Sequence, residues 1–329
     1  MLPQAGKSTD GKSRTMTSPT PTTPDVPVTS REEYFFDLNG FVVLKNVLTP
    51  SHIAEMNAIL DEITHLDPPL GPGEWYGYVH AHSYGGEEGI NLQQIYEAGE
   101  PFERLIDYPG WFAKIMHFVG GERTFDCMHG PLFIDESFAN LRGPGDAIGL
   151  HSGGNIGVKR NQFRYFNGRF QCGQVNVLMA LTDIGPGDGA TMVVPASHKA
   201  NFEHPDLKTH GMKHGEARSV DGVDGAIEVH LEAGDAIVFV DAICHGSAKR
   251  VNPGERRIVV YRYGPSWGNF RHPYHASNEL LDRLTPRQRS IVCPQLPIKR
   301  EPNRIPGTPS PGDAVDRGLE RGPAHAYKV

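Results

Sequence analysis

Residues 226–263 read AIEVHLEAGDAIVFVDAICHGSAKRVNPGERRIVVYRY. Three short apolar or alternating runs, AIEVHL, AIVFV and RRIVVYRY, are separated by the turn sequences EAGD and NPGE. Runs of this length, rich in Val, Ile and aromatic residues and punctuated by Gly and Pro, are strands joined by tight turns. The pattern extends upstream through PLFID, CGQVNVLMAL and TMVVP, divided by GPGD and GPGDG. Many short strands with Gly-Pro turns predict a mainly β fold of the jelly-roll kind.

Further out the texture changes. Residues 34–50, YFFDLNGFVVLKNVLTP, carry a helical stub, a turn at Gly40 and a short buried strand through Phe41, Val42, Val43 and Leu44. Thr49 then caps a helix with Pro50 at its first position, and Ile53, Met56, Leu60 and Ile63 recur at helical spacing. The stretch from Pro68 to Gly89 reads as loop, and a lid between Gly77 and Gly89 is left open. Residues 90–120 read as two amphipathic helices separated at Pro109 and Gly110. Thr285, Pro286 and Gln288 form a capping box for a last helix. Residues 1–30, crowded with Thr, Ser and Pro, are expected to be disordered, and a Pro- and Gly-rich tail over 299–329 to be mobile. One domain over 31–298 remains, and no repeat is visible.

Bulk properties bound the function. The chain has 329 residues, 38% of them apolar, a formal net charge of -7 and no overall basic field, which argues against a nucleic-acid polymer as partner. No apolar run approaches the roughly 18 residues of a membrane span, and no secretory core opens the chain, so a soluble, cytoplasmic protein is expected. Its oligomeric state is not legible. The four cysteines, without CxxC spacing, read as reduced and packed.

Of 16 histidines, position selects two: His151 in DAIGLHSGG and His245 in DAICHGS. Each ends a strand-like run, so a closed sheet can bring both to one cavity; two satisfied structural histidines are the ordinary alternative. Ser247 follows two positions after His245, and Arg256 opens the strand RRIVVYRY. An arginine facing inward is costly unless paired, and its planar fork fits a carboxylate. Arg257, on the opposite face, reads as a surface-pair residue.

These features together with NGFVVLKNVLTP and ALTDIGPGDGATMVVPASHKANF resemble the phytanoyl-CoA dioxygenase family of iron(II)- and 2-oxoglutarate-dependent oxygenases, over most of the chain from Tyr34 to Tyr263. The resemblance implies a double-stranded β-helix (cupin-like) in which His151 and His245 bind iron and 2-oxoglutarate chelates the metal. Arg256 would hold the distal carboxylate, with Ser247 and the inward-facing Leu178 beside it, and dioxygen would be consumed.

One departure matters. The family normally places Asp or Glu two positions after the first histidine, completing a facial triad, and this chain has Gly153. On a strand the two positions share a face. Asp146 and Asp241 lie five and four residues before the histidines, a strand span of roughly 13 Å or more, too far for a shared metal without a bulge. Asp183 and Asp188 read as turn residues. An open position accepts an exogenous anion, and the HxG pattern resembles that of iron- and 2-oxoglutarate-dependent halogenases, in which chloride stands in the carboxylate's place. The implied activity is radical chlorination of an unactivated C–H bond in a freestanding small molecule. A hydroxylase with water in the position, a non-catalytic 2-oxoglutarate-binding module, and a glycine serving only a tight turn stay open.

For the substrate, Gln174 and Asn176 share the Leu178 face and are candidate substrate or halide-shell contacts, or amides paired with backbone. The segment GVKRNQFRYFNGRF, with Lys159, Arg160, Arg164 and Arg169, is a solvated loop or a phosphate-neutralising one. The chain looks similar to nucleotide halogenases acting on the sugar of a deoxyadenosine nucleotide in natural-product biosynthesis, which makes a nucleotide a candidate small-molecule partner.

Overall fold

The computed structural model describes residues 23–82, 89–121, 132–145, 147–152, 161–212, 219–266 and 276–294. Ordered contacts begin at Asp25, which pairs with Arg287 at 2.7 Å, and Val26, whose N–H donates to Pro109 O, so structure starts ahead of the expected boundary at Arg31. The sequence expectations for 1–22 and 299–329 lie outside the described residues.

In chain order the elements are α1 (Ser30–Asn39), β1 (Phe41–Leu44), α2 (Pro50–Thr64), β2 (Trp75–Tyr76), β3 (Val79–Ala81), β4 (Ile90–Gln93), α3 (Glu100–Glu103), α4 (Phe112–Val119) and β5 (Leu132–Arg142). There follow β6 (Tyr165–Phe166), β7 (Arg169–Phe170), β8 (Val175–Ala180), β9 (Thr191–Val194), α5 (Leu207–His210), β10 (Ile227–Val229), β11 (Ala236–Val240), β12 (Cys244–Ser247), β13 (Arg256–Pro265), α6 (Asn278–Arg283) and α7 (Pro286–Val292). Local signals explain several boundaries. Thr29 and Glu32 cap α1 reciprocally, and Gly40 ends it in the left-handed region at φ 85°, which a side chain disfavours. Thr49 and Pro50 start α2 as the sequence predicts, burying Ile53, Met56, Leu60 and Ile63. Thr285 and Gln288 form the expected box on α7.

The strands make an eight-stranded sheet in the order β1-β11-β8-β13-β5-β4-β3-β2, a three-stranded sheet β10-β9-β12 and the hairpin β6-β7. All their pairings are antiparallel. Directly paired residues share a face, so the register sorts the large sheet into two. Helices cover the outer one. Tyr261 and Tyr263 donate from it to Phe102 O and Leu105 O, and Arg257 reaches Asp61 of α2 at 2.7 Å. That pairing bears out the surface-pair reading of Arg257. The inner face looks onto the small sheet: Arg142 Nη1 donates to Ser247 Oγ at 2.7 Å, Arg256 Nη2 to Thr191 Oγ1 at 3.2 Å, and the rings of Phe239 and His245 lie 4.9 Å apart.

Two segments differ from expectation. Residues 90–120 contain a strand, β4, before a 3-10 turn at Ile95–Ala98 and the short α3; only α4 is the helix foreseen. Gln94 adopts φ 60°, which no helix continues through, and β4 gains a full ladder against β5. The Pro68–Gly89 loop likewise contributes β2 and β3, which extend the sheet beyond β4; residues 83–88 of the candidate lid lie outside the described residues. Cys172 and Cys244 are buried, and burial pushes both thiols up, that of Cys244 to about 12. No helix among the described residues is long and apolar enough to cross a membrane.

Candidate metal and cosubstrate site

The two histidines selected from the sequence are brought together. His151 joins the edge of the small sheet through a two-bond bridge, its N–H donating to His245 O at 2.8 Å and His245 N–H returning to His151 O at 3.0 Å. The ring centroids stand 4.1 Å apart. Each ring also meets the carbonyl two residues before it: His151 Nδ1–H donates to Gly149 O at 2.9 Å, and His245 Nδ1–H to Ile243 O at 2.7 Å. Carbonyls only accept, so both rings are held as the tautomer whose Nε2 carries the lone pair. This is the usual outer support of a metal-ligating histidine. Burial, and then the neighbouring imidazole, hold His151 well below the ordinary histidine range, which keeps it in the neutral form a metal requires.

Arg256 sits on the inner face of the large sheet, where it meets Thr191 of the small sheet. It is 1% exposed, and Nη2 has its one contact to Thr191, while Nε and Nη1 have no partner. Burial, and then the charges of Arg142 and Arg250, push its guanidinium pKa well down, the mark of a cation held without an anion. An orphaned, fully buried fork is the fit expected for the distal carboxylate of 2-oxoglutarate. Ser247 Oγ lies alongside but is engaged, accepting from Ile148 N at 2.9 Å and from Arg142. Leu178 lies on the same inner face, in register with Ile237 and Val260.

Sequence reasoning missed Thr191 and Arg142. Thr191 pairs in register with Ser247, and Arg142 with Arg256. An arginine just before the GPGD turn, matching the one just after NPGE, was the available signal. Asp183 and Asp188 do what turn residues do, accepting from Ala233 N and Gly185 N.

The remaining predicted residues separate. Gln174 and Asn176 are buried and face the cavity side, donating to Asp135 at 3.0 Å and Asp241 at 3.2 Å rather than to backbone. Arg164 is exposed beside the β6-β7 hairpin and makes no side-chain bond to another described residue. Gly153, Asp146, Lys159 and Arg160 lie outside the described residues. The strand argument used for Gly153 supposes extended backbone, whereas Ser152 has φ 61°, so the chain turns sharply at once after His151. Asp241 needs a second correction. It lies in a turn after β11 rather than on an extended strand, and its charge reaches His151. Asn176 and Arg262 hold it, the latter at 3.7 Å, and no group of three metal-binding side chains occurs among the described residues.

The phytanoyl-CoA dioxygenase family model matches residues 36–258. The chain belongs to that family. It is a dioxygenase-type family of iron- and 2-oxoglutarate-dependent oxidoreductases. Among its relatives, the dioxygenase cdmD of Talaromyces verruculosus is 27% identical over 119 residues, 36% of this chain and 35% of cdmD. The peroxisomal phytanoyl-CoA dioxygenase of Bos taurus is 22% identical over 233 residues, 68% of this chain and 65% of the bovine protein. The matches thus span about a third and just under two thirds of those relatives. Among solved structures, HygX from Streptomyces hygroscopicus with nickel, 2-oxoglutarate and hygromycin B is 22% identical with a TM-score of 0.60, covering 77% of this chain and 94% of HygX. The carbocyclase SnoK from nogalamycin biosynthesis is 16% identical with a TM-score of 0.52, covering 85% and 98%. Both likenesses are of fold.

Proposed function

We propose that this family member is an iron(II)- and 2-oxoglutarate-dependent halogenase of a small molecule, built on a double-stranded β-helix. The observation that carries the cofactor reading is the pair of tautomer-locked imidazoles on the small sheet together with the orphaned Arg256 on the face of the large sheet that packs against it. His151 and His245 would hold the metal through Nε2. Arg256 and Thr191 would hold the distal carboxylate, and the apolar row of Leu178, Val260, Ile237 and Phe138 would exclude water along the chain between them. Bound iron, 2-oxoglutarate and dioxygen supply oxidation of an unactivated C–H bond. Halogen transfer rests on Gly153, which stands where the family places its carboxylate and so offers chloride a position. The exposed Tyr165 and Phe166 beside Arg164 make a deoxyadenosine nucleotide the first substrate to assay.

The test loads the protein anaerobically with iron(II) and 2-oxoglutarate, admits oxygen with and without chloride, and follows candidate substrate and succinate by mass spectrometry. A chlorinated product formed only with chloride is the expected result. Hydroxylated product indifferent to chloride would establish the hydroxylase instead, and 2-oxoglutarate bound but never consumed would establish a binding module.

A further inference from the structure

The chain leading to His151 is held on both sides. Ser247 N–H donates to Ile148 O at 2.9 Å and Ile148 N–H to Ser247 Oγ at 2.9 Å, while Leu150 N–H donates to His210 O at 2.7 Å and Met212 N–H to Leu150 O at 3.0 Å. The bridge to His245 then uses both backbone groups of His151. At the next residue this regularity stops. Ser152 takes φ 61°, in the left-handed region that favours glycine. It is 4% exposed, and its Oγ has no hydrogen-bond partner among the described residues. Serine here is unfavourable twice over, with a strained backbone and a buried, unsatisfied hydroxyl. Glycine at 152 would remove both penalties. Buried hydroxyls are satisfied as a rule, and local strain collects where a ligand is held. Ser152 stands one peptide unit from His151, so its O–H is placed to donate to what is bound beside that imidazole.

We infer that Ser152 is an anion-binding residue, whose Oγ–H donates to the halide taking the position beside His151 and His245 for which Gly153 supplies no carboxylate. The inference rests on the halogenase reading of the same site and adds a protein group that selects the anion. Neither imidazole can donate to it, since each Nδ1–H is already given to a carbonyl and each Nε2 is turned to the metal. A hydrogen bond to an anion is roughly twice as strong as one between neutral groups, so the hydroxyl favours a halide over a neutral water.

The test follows chloride binding by the visible d–d absorption of the full chain loaded with cobalt(II) and 2-oxoglutarate, in halide-free buffer with perchlorate holding the ionic strength constant. Ser152→Ala and Ser152→Gly both remove the hydroxyl. The glycine variant also relieves the backbone, and serves should the alanine variant not fold. Wild type should show a saturable spectral change with chloride. Both variants should show the same change with a dissociation constant at least about tenfold higher, the scale of one hydrogen bond to a charged group. Their affinities for cobalt(II) and 2-oxoglutarate should equal those of wild type. Chloride affinity unchanged in the variants overturns the inference and leaves the halogenase reading standing. Loss of cobalt(II) or 2-oxoglutarate binding along with chloride overturns it too, by showing Ser152 to be a structural support of His151. No chloride response in a wild-type chain that binds both other ligands overturns the halogenase reading, and the inference falls with it.

Discussion

Replacing Arg256 by Met should stabilise the ligand-free protein and abolish its response to 2-oxoglutarate. The side chain is 1% exposed, its single contact is a 3.2 Å bond to Thr191, and two of its three nitrogens have no partner. The Arg142 and Arg250 charges add repulsion to the desolvation cost. Apolar replacement of buried ionic groups is often neutral or favourable by about 1–4 kcal/mol, which for a domain of this size raises Tm by several degrees, at about 2–4 °C per kcal/mol. The opposite sign applies to binding. Without the guanidinium, the distal carboxylate of 2-oxoglutarate is left buried and unpaired, a loss of about 3–5 kcal/mol or roughly 10²- to 10⁴-fold in affinity. Saturating 2-oxoglutarate at about 100 Kd contributes about 2.7 kcal/mol to the native state, so the wild-type melting curve should move up by several degrees while the variant's stays put. Differential scanning fluorimetry with nickel(II), with and without 2-oxoglutarate, reads both effects. A variant that melts lower than wild type and still shifts with 2-oxoglutarate would show Arg256 to be a structural cation and refute the assignment.

Other perturbations follow from the same contacts. Gly153→Asp should abolish chloride-dependent product, since a carboxylate in that position excludes the halide; chlorination that persists in the variant, followed by mass spectrometry, removes the basis for the halogenase reading. His151→Ala and His245→Ala should each lose most of the nickel-induced rise in Tm, read by calorimetry, and a full rise in either variant would place the metal elsewhere. Burial pushes His198 down to about 4 from an ordinary 6.5, while its Nε2–H donates to Asp37 O. The unfolded chain therefore takes up this proton first as pH falls, so stability is full above pH 6.5 and declines down to about pH 4. Between pH 7 and 5 the loss from this one group is about 2 kcal/mol, and urea midpoints should show His198→Gln spared that increment; equal acid sensitivity in both proteins contradicts it.

The strands that hold the site were legible where turn chemistry was strong. AIVFV, CGQVNVLMAL and RRIVVYRY became β11, β8 and β13, because EAGD, GPGDG and NPGE each force a reversal. The other half of the inner face was obscured. β5 runs LFIDESFANLR, and of this sequence reading kept only PLFID, since consecutive Asp135, Glu136 and Ser137 look like solvent-exposed residues. They are buried because the pairing with β13 runs unbroken to Arg262 opposite Glu136 and shifts only beyond it, leaving Asp135 out of register, and because Gln174 and Gln93 donate to the two acids. Gln93 was hidden for a related reason. Its segment carries enough apolar residues to pass for an amphipathic helix until the ladder to β5 claims it.

Asp241 shows why spacing alone misjudged the acids around the metal position. Four residues separate it from His245, and on an extended strand that distance excludes a shared neighbourhood. The chain instead turns after β11, crosses from the large sheet to the small one, and only then enters β12. A connection between two facing sheets shortens the path, so the residue that ends one strand and the residue that begins the next approach the same cavity from opposite walls. Asp241 thereby comes within electrostatic reach of His151 while Asn176 and Arg262 engage its carboxylate. An acid held in this way orients an amide and offsets a guanidinium, and it does so next to the metal position without adding a third residue to the pair of histidines. Among the described residues no acid completes a set of three with the two histidines, so under the proposed reading the third position falls to Gly153.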